Sequence, residues 1–223
     1  MAQASILGTS KLVPQTSNVR LFSQTFSRHS AVTKELVDTL KQEIDEEKRL
    51  QNESKATKPT ITGFEIKTKG AEVTLTKKQG NETLKIVFDV SHSVDPDNDE
   101  FDEGDDELGA PAARPPLDLQ IIKGDKKLCF DMDIVGGEDE GLDYTIQEFY
   151  LANASEEKVP EHVYRSSGGY IDPALGDLLF KQYLEERGIT SDLLKQIVDF
   201  ATHHEHQEYV KLLEGLKNFA ESK

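Results

Sequence analysis

Between residues 61 and 165, apolar side chains recur at every second position, and no other feature of the 223-residue chain constrains its fold more tightly. Each segment with this spacing has one apolar and one polar face, as a half-buried β-strand does. Gly70 and the pairs Gly80-Asn81 and Gly124-Asp125 separate segments where tight turns favour such residues, which predicts antiparallel hairpins. We expect about seven strands, near residues 64–67, 71–76, 84–91, 117–123, 127–135, 143–152 and 162–166.

The sixth of these strands changes phase in its middle. Tyr144 and Ile146 belong to one alternation, while Phe149 and Leu151 belong to the other. A change of phase inside a strand arises from a bulge, here near Gln147, or from a strand that is covered on both faces. The sequence leaves both alternatives open.

Helical periodicity is found on both sides of the strands. Residues 31–53 carry a narrow apolar stripe with coiled-coil-like spacing, which suits packing either on the chain's own sheet or against a partner chain. Residues 172–222 begin with Asp172, a favoured helix cap, followed by proline. Thr202 and Glu205 have the spacing of a capping box, which predicts that a further C-terminal helix begins there. One helix, a run of strands and then two or three helices indicate an α+β fold.

The chain is strongly acidic, with 26 lysine and arginine residues against 42 aspartate and glutamate residues and a formal net charge of −16. Such a charge disfavours direct binding to nucleic acid or to anionic membranes. It favours basic proteins, basic peptides or metal ions as partners. No apolar run approaches the length of about eighteen residues that a membrane-spanning helix needs, so no membrane span is expected.

The first of two acidic tracts begins like a calcium loop. Its first three aspartates match the first three ligand positions of an EF-hand, but Glu100 stands where that loop needs glycine. Asp106 stands where it needs a bidentate glutamate, and the prolines that follow prevent a flanking helix. The sequence therefore predicts a flexible acidic loop over residues 93–116 that binds partners through its summed charge. Its carboxylates are Asp95, Asp97, Asp99, Glu100, Asp102, Glu103, Asp105, Asp106 and Glu107.

The second tract runs from Asp131 to Glu157 and contains nine acids but no lysine or arginine. Cys129, the only cysteine of the chain, shares its strand phase with Asp131 and Asp133, so we expect it on the acidic face. Neighbouring carboxylates raise the pKa of a thiol, which argues against a catalytic cysteine. With one cysteine, no intramolecular disulfide can form.

Three histidines, His203, His204 and His206, are the remaining candidates for metal chemistry. The HExxH pattern is absent, so further ligands would have to come from elsewhere in the chain. No GxSxG motif and no phosphate-binding glycine loop occurs either. We therefore assign no catalytic, cofactor-binding or metal-ligating residues and expect no cofactor. A metal-dependent enzyme built on the three histidines stays as an alternative.

The first thirty residues differ in composition from the rest of the chain. They contain three bases, nine serine or threonine residues and no acid. This composition is typical of a mitochondrial transit peptide, so residues 1–30 are predicted to be removed and residues 31–223 to form the mature acidic domain. Without Lys11, Arg20 and Arg28, 23 bases would face 42 acids, a net charge of −19.

Both ends of the mature chain resemble one protein family. The segments LFKQYLEERGI and EHQEYVKLLEGLKNFAES near the C-terminus, with LVDTLKQEIDEEKRLQ and GFEI near the N-terminus, are similar to the mitochondrial acidic matrix protein family. Animal members of that family are also described as the complement first-component globular-head receptor and hyaluronan-binding protein. The resemblance covers roughly residues 31–223. The acidic loop departs from the family in length and order, and the chain has no tryptophan, with Phe64 where some relatives place one.

The resemblance implies a highly twisted seven-stranded antiparallel sheet, flanked by one N-terminal helix and by C-terminal helices and assembled as a doughnut-shaped homotrimer. It also implies residence in the mitochondrial matrix and support of mitochondrial ribosome assembly, translation and oxidative phosphorylation, with no catalytic residues. The alternative that it implies is an extracellular or cell-surface receptor for the complement first component and hyaluronan. The residues expected in helix packing or in the trimer interface are Leu36, Leu40, Ile44, Tyr209, Leu213 and Leu216.

The charge pattern and the resemblance lead to one functional hypothesis. The chain is expected to be a non-enzymatic, chaperone-like acidic protein that captures basic proteins, ribosomal proteins among them. Its acidic loop and its acidic strand faces would hold these partners by Coulomb attraction, which weakens as salt screens it.

Overall fold

The strands form a single antiparallel sheet. The computed structural model describes residues 31–53, 59–91, 93, 112–137 and 141–222. Each strand pairs with the next one along the chain, and Gly80 and Gly124, both at φ 61°, make two of the tight turns. The predicted meander is thereby confirmed. The strands are β1 (Glu65–Lys69), β2 (Glu72–Gln79), β3 (Glu82–Asp89), β4 (Leu117–Lys123), β5 (Lys126–Gly136), β6 (Leu142–Asn153) and β7 (Ser166–Ser167).

Helices precede and follow the sheet, which confirms the α+β class. Helix α1 spans Ala31–Glu53, and a short 3-10 turn at Gly168–Tyr170 follows β7. A helical segment then covers residues 173–185, and the last helix, α4, spans Ser191–Glu221. Within the helical segment, the chain begins as α2 (Pro173–Gly176), widens into a π-helix (Asp177–Gln182) and ends as α3 (Tyr183–Glu185).

The helical segment begins and ends at the predicted signals. The Asp172 carboxylate accepts hydrogen bonds from the two backbone N–H groups that follow Pro173. Gly188, at φ 86°, ends the segment, and the N–H of Ile189 donates to the carbonyl of Leu184 as in a Schellman motif.

Helix α4 passes through residue 202 without a break, so the prediction that a helix begins at Thr202 is wrong. The Thr202 hydroxyl donates to the carbonyl of Val198, one turn earlier, and accepts from the backbone N–H of Ala113, both at 2.9 Å. A hydroxyl that bonds to the preceding turn belongs to a helix interior rather than to a helix start. The capping-box spacing of Thr202 and Glu205 is therefore incidental.

The hydrophobic core lies between one face of the sheet and the C-terminal helices. Leu75, Leu84 and Phe130 on the strands are fully buried, as are Ile197 and Ala201 on α4. Successive residues of a strand point to opposite faces of the sheet. The polar positions of the same strands therefore line the face that carries no helix.

Helix α1 packs against α4 rather than on the sheet. Leu40 and Ile44 form a small buried cluster with Leu213 of α4. Three of the six residues expected in helix packing or in a trimer interface thus lie between two helices of one chain. The other three remain partly exposed: Leu36 at 49%, Leu216 at 45% and Tyr209 at 38%.

Strand β6 contains the predicted bulge. Asp131 of β5 pairs with Glu148, whereas the next residue of β5 pairs with Ile146. Gln147 is therefore an extra residue without a partner across the ladder, which confirms the bulge. The seventh strand is shorter than predicted, because it begins only at Ser166 and has two residues.

A buried ion pair joins the sheet to the turn after the helical segment. Arg187 donates to both carboxylate oxygens of Glu82 on β3, at 2.9 and 3.2 Å. The two side chains are 13% and 8% exposed, and the guanidinium stacks on Tyr183 at 3.3 Å from the ring centroid. This pair fixes where the turn after the helical segment meets β3.

Candidate functional site

Three carboxylates form a row across the helix-free face of the sheet. Asp118 on β4 pairs with Asp131 on β5, and Asp131 pairs with Glu148 on β6. We call these three residues the acidic row. Directly opposed residues on neighbouring antiparallel strands have Cβ atoms about 5 Å apart, so like charges there repel.

One arginine contacts the acidic row. Arg165 places its guanidinium 3.5 Å from an oxygen of Asp131 and 3.5 Å from an oxygen of Glu148. The same guanidinium lies over the ring of Tyr150, at 4.3 Å from the centroid. Lys127, in the same strand phase as Asp131, is buried and donates to the side chain of Gln120. Two cations therefore lie at or near the three carboxylates, and the row keeps an excess of one negative charge.

The charged form of Asp131 is disfavoured in this row. Burial raises the pKa of the Asp131 carboxyl above its ordinary value, the charges of Asp118 and Glu148 raise it further, and Arg165 only partly opposes them. One oxygen of Asp118 accepts from the Gln120 amide at 2.9 Å, while the other is buried and has no hydrogen-bond partner among the described residues. An additional cation at this face would relieve the repulsion.

Cys129 shares the strand phase of the acidic row but is not exposed beside it. Its side chain is fully buried in a small cluster with Tyr150 and Ala152, packed against Val159 and Val163 of the segment that follows β6. Cys129 thus lies on the face of the acidic row, as expected from its strand phase, but Val159 and Val163 cover it. Burial, together with the nearby carboxylates, raises the pKa of the thiol to about 11. A poorly nucleophilic thiol was expected, but burial contributes more to the shift than charge does.

The three histidines have separate partners. His204 Nε2 lies 2.8 Å from the carbonyl oxygen of Gly70, and His203 Nε2 lies 2.9 Å from the side-chain nitrogen of Gln207. His206 faces α1, where its Nδ1 is 3.3 Å from a carboxylate oxygen of Glu47. Within residues 31–53, 59–91, 93, 112–137 and 141–222, no group of three or more histidine, cysteine or acidic side chains is placed to hold a metal ion.

The predicted site and the described one overlap only in part. The nine carboxylates of the acidic loop, and the predicted transit peptide, lie outside the described residues. Of the second acidic tract, Asp131 and Glu148 are brought together by the sheet. Asp118 and Arg165 are not among the site residues predicted from the sequence. The position of Asp118 could have been predicted from the sequence, because a two-residue turn at Gly124-Asp125 pairs residue 118 with residue 131. Arg165 carried no such signal, because it lies beyond an irregular segment.

None of the helices described here combines the length and the apolar character needed to cross a membrane.

The fold is one seven-stranded antiparallel sheet with helices on one face, and solved structures of other proteins share it. A solved protein from Leishmania major, described as of unknown function and as a sequence homologue of the human p32 protein, matches with a TM-score of 0.61 at 18% identity. The match covers 85% of this chain and 99% of that one. At this identity the likeness concerns the fold.

The family follows from the sequence. Residues 40–220 match the family MAM33, described as mitochondrial glycoprotein, and the chain belongs to that family. The "Conserved regulator of innate immunity protein 3" of Caenorhabditis elegans is 44% identical over 208 residues, covering 90% of this chain and 88% of that protein. The human "Complement component 1 Q subcomponent-binding protein, mitochondrial" is 30% identical over 215 residues, covering 88% and 74%. These matches confirm the resemblance found in the sequence.

Proposed function

We propose that this protein is a non-enzymatic, chaperone-like acidic protein that captures basic proteins by charge. The observation that carries the proposal is the acidic row, in which Arg165 and Lys127 only partly offset three aligned carboxylates and the pKa of Asp131 is raised. A lysine or arginine of a partner placed at this face would offset the repulsion between the carboxylates. The net charge of −16 adds a long-range attraction for the same partners.

The acidic loop is proposed as a second part of the capture surface. Its nine carboxylates between Asp95 and Glu107 contribute about a fifth of the 42 acids of the chain. Because the loop lies outside the described residues, its part in the proposal rests on charge alone. Neutralising these nine residues is expected to weaken binding of a basic peptide in addition to any loss caused at the acidic row.

Neutralisation of the acidic row tests the proposal. The variant Asp118→Asn/Asp131→Asn/Glu148→Gln removes three charges, and the control Glu35→Gln/Glu161→Gln/Asp199→Asn removes three exposed charges elsewhere. With a fluorescent lysine-rich peptide, we expect the row variant to lose roughly tenfold in affinity, about 1.4 kcal/mol, and the control to lose clearly less. Equal losses would show that the row is not a specific part of the capture surface.

The mitochondrial matrix is the proposed location, and ribosomal proteins are the proposed partners. Membership of a family described as mitochondrial glycoprotein and the acid-free first thirty residues support this location. Capture of ribosomal proteins would support ribosome assembly, translation and oxidative phosphorylation in the organelle. Fractionation of cells expressing the full chain is expected to find a matrix protein shortened by about thirty residues. An unshortened protein outside mitochondria would contradict the proposal.

A homotrimer is the proposed assembly. Leu36 on α1 and Leu216 on α4 leave apolar surface exposed on the helix pair, which an adjoining copy would cover. One chain has a mass of 24.9 kDa, so light scattering on the purified chain is expected to give roughly 75 kDa. A mass near that of one chain would contradict the trimer.

Binding of the complement first component is a second candidate function. It is favoured by the name of the human relative, a complement component 1 Q subcomponent-binding protein. Surface-immobilised protein is expected to retain this complement component at physiological salt if the property extends to this chain. Retention that is no greater than on a control surface carrying an unrelated acidic protein would remove this candidate.

A further inference from the structure

One edge of β6 is open beside the acidic face. Strand β7 pairs with Glu148 and Phe149 only, and among the described residues no strand pairs with Leu142–Ile146 on the side away from β5. The N–H of Leu142 donates to the hydroxyl of Ser191 at 3.1 Å, and the N–H of Tyr144 donates to its neighbour Asp143 at 2.8 Å. Two backbone donors, two residues apart, are thus satisfied by side-chain oxygens where a neighbouring strand would supply carbonyls.

A groove runs along this open edge. Its second wall is part of the helical segment 173–185, residues 189–191 also line it, and its volume is about 590 Å³. The Tyr144 hydroxyl donates to the carbonyl of Phe180, which holds the helical segment at a set distance from the strand. Phe180 belongs to the π-helix, an irregularity that often marks functional sites. The apolar lining comes from Leu142, Ile146, Phe180 and Ile189.

The length of the open edge limits how many residues of an added strand the groove can hold. Gly168 lies against the far end of the open edge, so closely that a Cβ there would be 2.1 Å from the carbonyl oxygen of Ile146. The carbonyl of Ile146 is therefore covered, and the open edge is confined to residues 142–145. At about 3.3 Å per residue, an added strand of roughly four residues would fill it.

The charge of the groove selects a basic occupant. Asp143 and Glu185 line it, and neither forms an ion pair with any residue of the described chain. Burial and, after it, the negative charges of Asp143 and Glu185 raise the pKa of the Tyr144 hydroxyl to about 12. Both carboxylates therefore act on the same hydroxyl. Lys181 also lines the groove, but its ammonium lies 3.9 Å from Asp177 and its side chain is 78% exposed. The unbalanced charge inside the groove is negative.

We propose that this groove takes an extended segment of a basic partner, which adds as a strand to the open edge of β6. Main-chain hydrogen bonds to Leu142 and Tyr144 would replace those now made by Ser191 and Asp143. Alternate side chains of the segment would pack on the apolar lining or reach Asp143 and Glu185. The inference rests on the proposed capture of basic proteins and adds a defined place and backbone conformation for one segment of the partner.

N-methylated peptides test strand addition on the unaltered protein. The probe is a fluorescent hexapeptide of alternating lysine and valine, made in three forms: unmodified, N-methylated at every lysine, and N-methylated at every valine. All three have the same charge and the same side chains, but in a strand only one set of N–H groups faces the edge. We expect one N-methylated form to lose at least about tenfold in affinity and the other to stay within about twofold of the unmodified peptide.

Two matched variants test the groove. Glu185 lines the groove, whereas Glu186, the next residue, is 78% exposed and does not. Glu185→Gln is expected to weaken the unmodified peptide roughly threefold or more, and Glu186→Gln to leave it within about twofold. Equal effects of the two variants, or equal affinities of the two N-methylated peptides, would overturn the groove. If all forms then still bound with strong salt dependence, capture by charge would stand, whereas absence of binding even at low salt would overturn both proposals.

Discussion

At the residue scale, Asp131 links the acidic row to the stability of the fold. Its pKa is raised above the ordinary value of 3.8, so the folded protein disfavours the charged form. A carboxyl with a raised pKa contributes most to stability at low pH, and that contribution is lost as the pH rises through the folded-state pKa. The ionised Asp131 carboxylate therefore carries a stability cost at neutral pH.

Asp131→Asn should accordingly keep or raise the free energy of unfolding at pH 7. The gain is expected to stay below about 1 kcal/mol, because the side chain is 36% exposed and solvent screens its interactions. Urea unfolding at pH 7 and at pH 3 measures it. At pH 3 the wild-type carboxyl is mostly protonated, so the two proteins should be alike. A loss above 1 kcal/mol at pH 7 would contradict the account.

Cys129 should react slowly with thiol reagents while the protein is folded. With a pKa of about 11, roughly one thiol in a thousand is ionised at pH 8, against about one in ten at the ordinary value of 9.0. A chromogenic disulfide reagent is expected to react at least about a hundredfold more slowly than with the urea-unfolded chain. Equal rates would show that the cover formed by Val159 and Val163 opens readily.

Predictions about single residues succeeded where the contacts are with neighbours in the sequence. They failed where the contacts are with residues distant in the sequence. The cap at Asp172 needs only the next three residues, and the sequence contains them. The cover over Cys129 needs contacts with Val159 and Val163, some thirty residues away, which no alternation pattern encodes. Arg165 reaches the acidic row for the same reason, through a segment without regular period.

At the scale of elements, the strands and the bulge could be predicted because their signals are short-range. Each hairpin register follows from its turn, and a one-residue change of phase marks Gln147. Whether a helix begins at Thr202 could not be judged from the sequence. A threonine hydroxyl can either cap the start of a helix or, inside a helix, bond to the preceding turn. The decisive contact, from the N–H of Ala113, comes from a distant part of the chain.

The ion pair between β3 and the turn after the helical segment should be a strong determinant of stability. Arg187→Met would leave the Glu82 carboxylate buried with only Lys123 nearby, at 3.3 Å, so we expect a loss of about 3 kcal/mol in urea unfolding. The double variant Glu82→Leu/Arg187→Met should recover part of it, because no uncompensated charge remains. A single variant as stable as the wild type would contradict the structure.

The same pair predicts a pH dependence. The hydrogen bond from Arg187, aided by Lys123 and opposed by burial, lowers the pKa of Glu82 below its ordinary value of 4.5. Its contribution to stability is therefore present above pH 4.5 and is lost as the pH falls through the lowered pKa. Glu82→Gln should be less stable than the wild type at pH 7, and the difference should shrink at lower pH. A difference that does not change with pH would contradict this assignment.

At the scale of the whole molecule, the paired helices α1 and α4 carry both buried and exposed apolar residues. Leu40 is buried between α1 and α4, so Leu40→Asp should detach α1 and reduce helix content. Leu216 is 45% exposed on the same pair, so Leu216→Asp should leave the chain folded. If the proposed trimer uses this surface, Leu216→Asp is expected to lower the mass seen by light scattering to that of one chain. A trimer that survives this change would place the interface elsewhere.

The described residues of the molecule include the acidic row but no group of side chains placed to hold a metal ion. Capture by charge therefore rests on long-range attraction and on ion pairs at a wet surface. Both weaken as added salt shortens the Debye length, from about 10 Å at 0.1 M to about 3 Å at 1 M. The dependence on salt thus distinguishes this account from binding through apolar contacts.

The most direct test is the affinity of the full chain for a lysine-rich peptide, measured by fluorescence anisotropy from roughly 50 to 500 mM sodium chloride. The account predicts a fall of at least about tenfold over this range, steeper for the wild type than for the variant with a neutralised acidic row. An affinity that stays constant with salt would contradict capture by charge.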